Sequence, residues 1–385
     1  MPRPLPRTVR TLGLVSLLTD ASSEMIYPLL PSFLTVTLKA GPGFLGLVEG
    51  VAEAAASLLK IVAGAYSDRL AQRKPLVLAG YGLSSLVRPL VALATAPWQV
   101  LAIRFADRVG KGTRGAPRDA LIAEVTSPDD RGRAYGFHRA MDHTGAVVGP
   151  LLAAGLLLAH VELRLVFGLA AIPGVLSVLM LVLGVREEKR PRAAAHTDAA
   201  PKTTSDALRR YLLVLALFTL GNSSDAFLLL RAQEAGVSLA LIPILWSLHH
   251  VVKAGVSTWG GAVGDRLGRR NAILAGWALY ALSYAGFAVA TSPVHIWLLF
   301  ALYGLFFAMT EGPERALVAD LAGAQARGRA FGLYHAVTGA MLLPASLATG
   351  AVWQAWGAAC ALGLGAALSA AAAAGLALVV PDRRP

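Results

Sequence analysis

Cysteine is almost absent. One residue, Cys360, stands among 385, which leaves no disulfide framework and no thiolate metal site. Charge is scarce too. Asp, Glu, Lys and Arg make up 15% of the chain against 56% hydrophobic residues, where a soluble domain carries about 25% charged residues. Mean hydropathy is +0.59. Strand-like alternation does not recur over successive segments, which argues against a barrel. No Gly-x-x-x-x-Gly-Lys-Ser/Thr loop exists, so ATP does not drive the protein directly through such a phosphate cradle. The one Gly-x-Gly-x-x-Gly match, Gly110-Lys-Gly112-Thr-Arg-Gly115, lies inside an apolar helical stretch. It lacks the strand-then-helix setting of a dinucleotide site. No nucleophile–base constellation or metal-ligand spacing is visible, so neither an enzyme nor a metal or cofactor site is expected. Cys360, within the last apolar run, reads as a small buried apolar residue.

Long apolar runs are what the chain does have. A bilayer core of about 30 Å needs about 20 apolar residues per helix, so the length accommodates about twelve spans with short loops. They are expected near residues 11–33, 43–66, 75–96, 98–122, 134–158, 164–184, 211–230, 239–261, 271–290, 294–317, 330–350 and 357–380. The basic N-terminus precedes a run holding Asp20 and Glu24 with no small-residue cleavage site, which reads as a retained first helix. The net charge of +12 does not point to nucleic acid, whose binders gather Lys and Arg on one solvated face. Here the basic residues recur at every second gap between apolar runs, while the other gaps hold only Lys39, Arg164 and Arg231. The positive-inside rule then puts both termini in the cytoplasm of a bacterial inner-membrane protein.

The chain repeats itself. Gly64-Ala-Tyr-Ser-Asp68-Arg69 recurs as Gly261-Ala-Val-Gly-Asp265-Arg266 at an offset of 197. Pro117-Arg-Asp-Ala-Leu-Ile-Ala-Glu124 recurs as Pro313-Glu-Arg-Ala-Leu-Val-Ala-Asp320, and Arg131-Gly-Arg-Ala-Tyr-Gly136 as Arg327-Gly-Arg-Ala-Phe-Gly332, both at 196. Ser22-Ser23-Glu24 returns as Ser223-Ser224-Asp225 at 201. Four matches in one order describe a duplicated six-helix unit. Residues 1–184 form the first bundle, 211–385 the second, and the basic, aperiodic segment 185–210 a cytoplasmic linker. Internal repeats of this kind commonly place a substrate site near the midplane.

The repeated loop resembles the signature of the major facilitator superfamily, Gly-x-x-x-Asp-Arg/Lys-x-Gly-x-Arg/Lys-Arg/Lys. The copy from Gly261 to Arg270 fits closely; the copy from Gly64 to Lys74 has Ala71 where Gly is usual. The resemblance implies an all-α fold of twelve transmembrane helices in two pseudo-symmetric bundles. It also implies a gating role for Gly64, Asp68, Arg69, Arg73, Gly261, Asp265, Arg266 and Arg269. Gly145-Ala-Val-Val-Gly149-Pro150-Leu-Leu-Ala153-Ala154 is similar to the family's antiporter signature, with Ala at its last two glycines. Small residues at this spacing also allow tight helix packing. The expected fourth span carries Arg104 where proton-coupled drug exporters of the family have an Arg, but Asp107 and Arg108 replace their Gln and Gly.

Ionised residues inside membrane spans are costly, at least about 2.5–3.5 kcal/mol each at the centre, and mark functional sites by default. The fourth span holds Arg104, Asp107, Arg108, Lys111, Arg114 and Arg118 as one stripe at helical spacing. Asp20, Glu24, Glu53, Arg88, His138, Asp142 and Asp225 lie in other spans. Two readings stand. These acids take up protons beside a neighbouring Arg, or they permanently neutralise Arg88, Arg104 and Arg108. Arg114 and Arg118 are expected to snorkel toward the cytoplasm. His138 and Asp142, four apart, make a possible relay pair. The expectation is a monomeric secondary transporter in contact with lipid, moving a small solute by proton-coupled export. Proton symport or anion exchange of an organic anion is the alternative, and a non-transporting membrane scaffold or receptor the next.

Overall fold

The structure is a computed structural model that describes residues 4–127, 130–187, 205–322 and 327–380. Side chains of residues 257–266, 308, 327 and 328 lie outside that description. Among the described residues every regular element is helical and none is a strand. The chain opens with α1 (Arg7–Ile26), which runs through a 3-10 turn (Tyr27–Leu29), α2 (Leu30–Ser32) and a π turn (Phe33–Thr37). Pro28 and Pro31 remove two backbone donors here, which breaks the regular i→i−4 ladder. Then follow α3 (Pro42–Ser67), α4 (Lys74–Val87) with a 3-10 extension (Arg88–Leu93), α5 (Pro97–Glu124), α6 (Arg131–Leu158), α7 (Leu163–Leu169) and α8 (Ala171–Gly184). Beyond the segment 188–204 come α9 (Asp206–Gly221), α10 (Ala226–Glu234), α11 (Ile242–Leu267), α12 (Arg269–Val289), α13 (Pro293–Ala322) and α14 (Arg327–Val379). Gly357, at φ 85° and ψ 173°, interrupts α14. A side chain would be strained in that conformation, so the glycine sets the boundary between the last two expected spans.

Helix ends follow local chemistry. Ser205 caps α9 by accepting from the Leu208 N–H at 3.2 Å. Before α5, Gln99 Oε1 accepts from the Thr95 N–H at 2.6 Å and the Ala96 N–H at 3.0 Å, while Pro97 opens the helix. Seven stretches of the described residues are long and apolar enough to cross a membrane on length and composition alone. The helix α5 is not among them, because Arg104, Asp107, Arg108, Lys111 and Arg114 interrupt its apolarity. The chain is a multi-pass membrane protein, and its outer surface fits that setting: Leu378, Leu183 and Leu93 are among many large apolar side chains left exposed.

Two compact units divide the chain. Unit 1 comprises Met1–Phe33, Val51–His196 and Leu239–Ser247; unit 2 comprises Leu34–Gly50, Thr197–Ser238 and Leu248–Pro385. In unit 1, α1 lies between α6 and α8 while α4 pairs with α5. Val9, Leu12 and Val15 of α1, Val77 and Tyr81 of α4, Leu121 and Ile122 of α5 and Leu181 of α8 form one buried cluster. In unit 2, α9 packs on α14 and α12 on both α13 and α14. Its interior is aromatic: Phe218 stacks on Trp277 at 4.4 Å, and Tyr280 on Tyr284 at 4.2 Å.

Cys360 departs from expectation: it is exposed. The expectation carried over a soluble-protein rule, that small apolar residues are hidden from water. A helix facing lipid gains nothing by hiding such a side chain, because the solvent there is itself apolar.

Candidate functional site

The site is built on α5. Three-and-four spacing turns Arg104, Asp107, Arg108 and Arg114 inward, and all four are buried. Asp107, 2% exposed, sits at the centre. Its Oδ1 accepts from Arg88 Nε at 2.7 Å, and its Oδ2 lies 3.8 Å from Arg104 Nη1 and 3.9 Å from Arg108 Nη1. Arg88, at the start of the 3-10 extension of α4, also donates to the Thr19 carbonyl of α1 at 2.9 Å. Arg108 reaches across to Glu53 of α3 at 3.1 Å. Arg104 lies over the Tyr27 ring, 5.4 Å from its centroid. A cleft lined by Ser23, Ile26, Arg88, Ile103, Arg104 and Asp107 opens onto this cluster and holds about 10 Å³ for water centres, room for about a single water.

Asp107 therefore fits the structural reading, with a short bond to one guanidinium and two more nearby. Asp20 does not. It lies on α1 beside Gly145 of α6 and within electrostatic reach of Asp142, Lys111, Arg114 and Glu24, yet no hydrogen bond or ion pair joins it to another described residue. Lys111 is exposed, next to Arg108, Glu53 and Asp20. Asp142 accepts from Ser16 Oγ and stands 3.5 Å from His138 Nδ1, so the expected relay pair is brought together. Glu24 is held by a partner that sequence reasoning missed: Trp246 Nε1 donates to its Oε2 at 2.8 Å. Asp225 belongs to unit 2, where Tyr303 Oη donates to it at 2.6 Å.

Arg114 corrects the snorkelling expectation. It is buried, donates to Ser84 Oγ at 2.7 Å and lies 4.5 Å above the Tyr81 ring. A hydroxyl and an aromatic face supply inside the bundle what water would supply outside. Arg118, partly buried, turns to its neighbour Asp119 at 2.8 Å.

The repeated loops each build an Arg–carboxylate lock. Arg73 Nη2 bonds Asp68 Oδ1 at 2.7 Å, and its Nη1 bonds Glu124 at the end of α5. Glu187 caps the following helix by accepting from the Arg73 N–H at 2.8 Å and the Lys74 N–H at 2.6 Å. Arg69 is exposed. In the second copy Arg269 pairs with Asp320 and donates to the Ala316 carbonyl at 3.2 Å. Gly261, Asp265 and Arg266 lie outside the described side chains. Glu124 and Asp320 both close the repeated Pro-to-acid motif, and that repetition is their signal in the sequence. Gly64 faces Ala116 of α5, where an added Cβ would meet the Ala116 Cβ at 3.3 Å, a tight contact.

Gly145 and Gly149 bring α6 against the backbone of α1. A Cβ at Gly145 would strike the Leu17 carbonyl, and one at Gly149 the Ala21 carbonyl. Pro150 follows within the same buried seam. Among the described residues no group of three or more His, Cys, Asp or Glu could hold a metal.

The model of a sequence family described as Major Facilitator Superfamily matches residues 12–341 and 226–385. An uncharacterized MFS-type transporter of Methanocaldococcus jannaschii is 35% identical over 360 residues, covering 91% of this chain and 90% of the relative. A class C tetracycline resistance protein of Escherichia coli is 31% identical over 252 residues, 60% of each chain. Among solved structures, a POT family transporter in complex with a thioalcohol conjugated peptide superposes with a TM-score of 0.81 at 12% identity, covering 97% of this chain and 96% of the other. That likeness speaks for the fold alone.

Proposed function

The chain belongs to the Major Facilitator Superfamily, and from that premise we propose that it is a secondary carrier exporting a small solute in exchange for protons. The halves 1–184 and 211–385 act as its two bundles, joined by the linker 185–210, with both termini in the cytoplasm of a bacterial inner membrane and a monomer as the working unit. The observation that carries this reading is the uneven partnering of the buried acids. Asp107 is fixed by Arg88, whereas Asp20, beside the same cluster, has no ion pair among the described residues. A carboxylate in a low-dielectric site that lacks a fixed counter-charge can gain or lose a proton at modest cost. A permanently paired one cannot. Asp20 is the coupling residue in this scheme, with Glu24, Asp142 and His138 along the same path. Arg104, Arg108, Lys111 and Glu53 contact the solute, and Asp225 is the corresponding candidate within unit 2. The Arg73 and Arg269 locks hold and release the gated states, together with Gly64, Asp68, Arg69, Gly261, Asp265 and Arg266. The tetracycline resistance relative supports export as the direction.

Lys111, exposed next to Arg108, favours a second reading, exchange or proton symport of an organic anion, since clustered cations bind carboxylate or phosphate. A thermal-shift screen of drugs, organic acids and phosphate esters identifies a ligand. Flux of that ligand in proteoliposomes under an imposed pH gradient then tests the coupling. Asp20→Asn should keep the thermal shift and lose gradient-driven flux. Undiminished gradient-driven flux in Asp20→Asn overturns the assignment, and flux that follows counter-anion instead of pH supports the anion reading.

A further inference from the structure

The duplication carries a reversal of charge. At the offset of 196, Tyr81, Arg118 and His138 of the first repeat correspond to Trp277, Glu314 and Tyr334 of the second. In unit 1 the central position is a guanidinium: Arg118 Nη1 donates to Tyr81 Oη at 3.5 Å, while His138 pairs with Asp142. In unit 2 the same three positions hold a carboxylate. Glu314, on α13, is 7% exposed. Trp277 Nε1 of α12 donates to its Oε1 at 3.0 Å, and Tyr334 Oη of α14 donates to its Oε2 at 2.9 Å.

Both donors are neutral. Among the described residues no cation lies within ion-pair distance of Glu314. The adjacent Arg315 turns to Glu311, 3.2 Å away, and His335 is exposed, edge-on to the Tyr334 ring at 5.2 Å. From α9, Tyr211 is fully buried within electrostatic reach of both Glu314 and Tyr334, and its hydroxyl has no hydrogen-bond partner among the described residues. A buried carboxylate with neutral donors alone is costly to keep ionised. Its surroundings also accommodate the protonated form. An indole N–H only donates, but a tyrosine hydroxyl can donate to a carboxylate or accept from a carboxylic acid. Tyr334 is such a hydroxyl already in contact with Glu314, and Tyr211 is a second one nearby.

We propose that Glu314 is a second proton-binding site of this protein, seated in unit 2 and separate from the acids of unit 1. Taking up one proton turns its carboxylate into an acid whose O–H donates to a tyrosine hydroxyl, while the indole bond to Trp277 persists in both states. The site stands on the geometry of unit 2. Its failure would leave the export reading intact, because proton binding here is read without solute or flux.

Infrared difference spectroscopy of the full-length protein in liposomes, titrated between about pH 5 and about pH 9, reads the site directly. The wild type should lose a protonated-carboxyl C=O band as pH rises, and Glu314→Gln should lack that component. Gln keeps the size of the side chain and its acceptor for Trp277, so a correctly folded variant is expected, and a monodisperse elution profile checks it. In Tyr334→Phe the ionised form loses a donor, so the band should persist to a pH higher by about one unit. A difference spectrum unchanged by Glu314→Gln, or a midpoint that stays or falls in Tyr334→Phe, overturns the proposal.

Discussion

Replacing Asp107 by Asn removes a negative charge shared by Arg88, Arg104 and Arg108, of which Arg108 alone keeps a second acid, Glu53, among the ion pairs described above. At an effective dielectric of about 20, unit charges at the 2.7 Å of Arg88 attract by roughly 6 kcal/mol, and at the 3.8 Å of Arg104 by roughly 4 kcal/mol. Much of this is offset by the desolvation that burial already imposed, and by repulsion among the arginines. Breaking a buried pair by deleting one partner costs about 3–5 kcal/mol. For a unit of this size each kcal/mol moves the melting temperature by about 2–4 °C, so Asp107→Asn should melt on the order of 10 °C below the wild type. Tryptophan fluorescence at a fixed scan rate in detergent suits the measurement, since the melt of such a protein depends on rate. The double variant Asp107→Asn/Arg88→Gln removes both charges of the shortest pair and should recover about half the loss, because leaving a charge unpaired costs more than removing the pair. A single variant as stable as the wild type, or a double variant less stable than the single, would refute the view that Arg88 and Asp107 are fixed partners.

Gly149→Ala drives a Cβ into the Ala21 carbonyl and should cost about 1–3 kcal/mol, whereas Gly155→Ala, with nothing within 4 Å, should be neutral or slightly stabilising. Equal melting temperatures for the two would sink the backbone-seam account. Arg73→Ala frees both Asp68 and Glu124 and should speed amide exchange across residues 68–74. Arg73→Lys should restore only part of the protection, because an ammonium lacks the fork that reaches two acids. Wild-type exchange rates in Arg73→Ala would count against the lock.

Much of this was legible in the sequence, and the legible part has a common cause. Duplication writes the same contact twice, so Arg73 with Glu124 and Arg269 with Asp320 sit at matching positions of the two repeats. The i, i+4 pair of His138 and Asp142 and the stripe on α5 follow from helical periodicity alone. What the sequence did not disclose depends on tertiary placement. The Trp246–Glu24 bond joins residues 222 positions apart, and no local pattern announces it. Glu314 lies inside the repeated motif from Pro313 to Asp320, but its aromatic donors come from two other helices. Arg114 lies near a helix end, where sequence predicts access to water, but Ser84 and Tyr81 occupy the space around it.

Where α6 meets α1 at Gly145 and Gly149, the α6 main chain presses on the Leu17 and Ala21 carbonyls, with the Asp20 Cβ beside Gly145. The two helices must therefore travel together as one stiff plank. Any tilt imposed on the His138–Asp142 end of α6 is delivered undamped to the turn of α1 that bears Asp20, so a change of shape in this region can alter how exposed that carboxylate is without a single contact being made or broken at the seam.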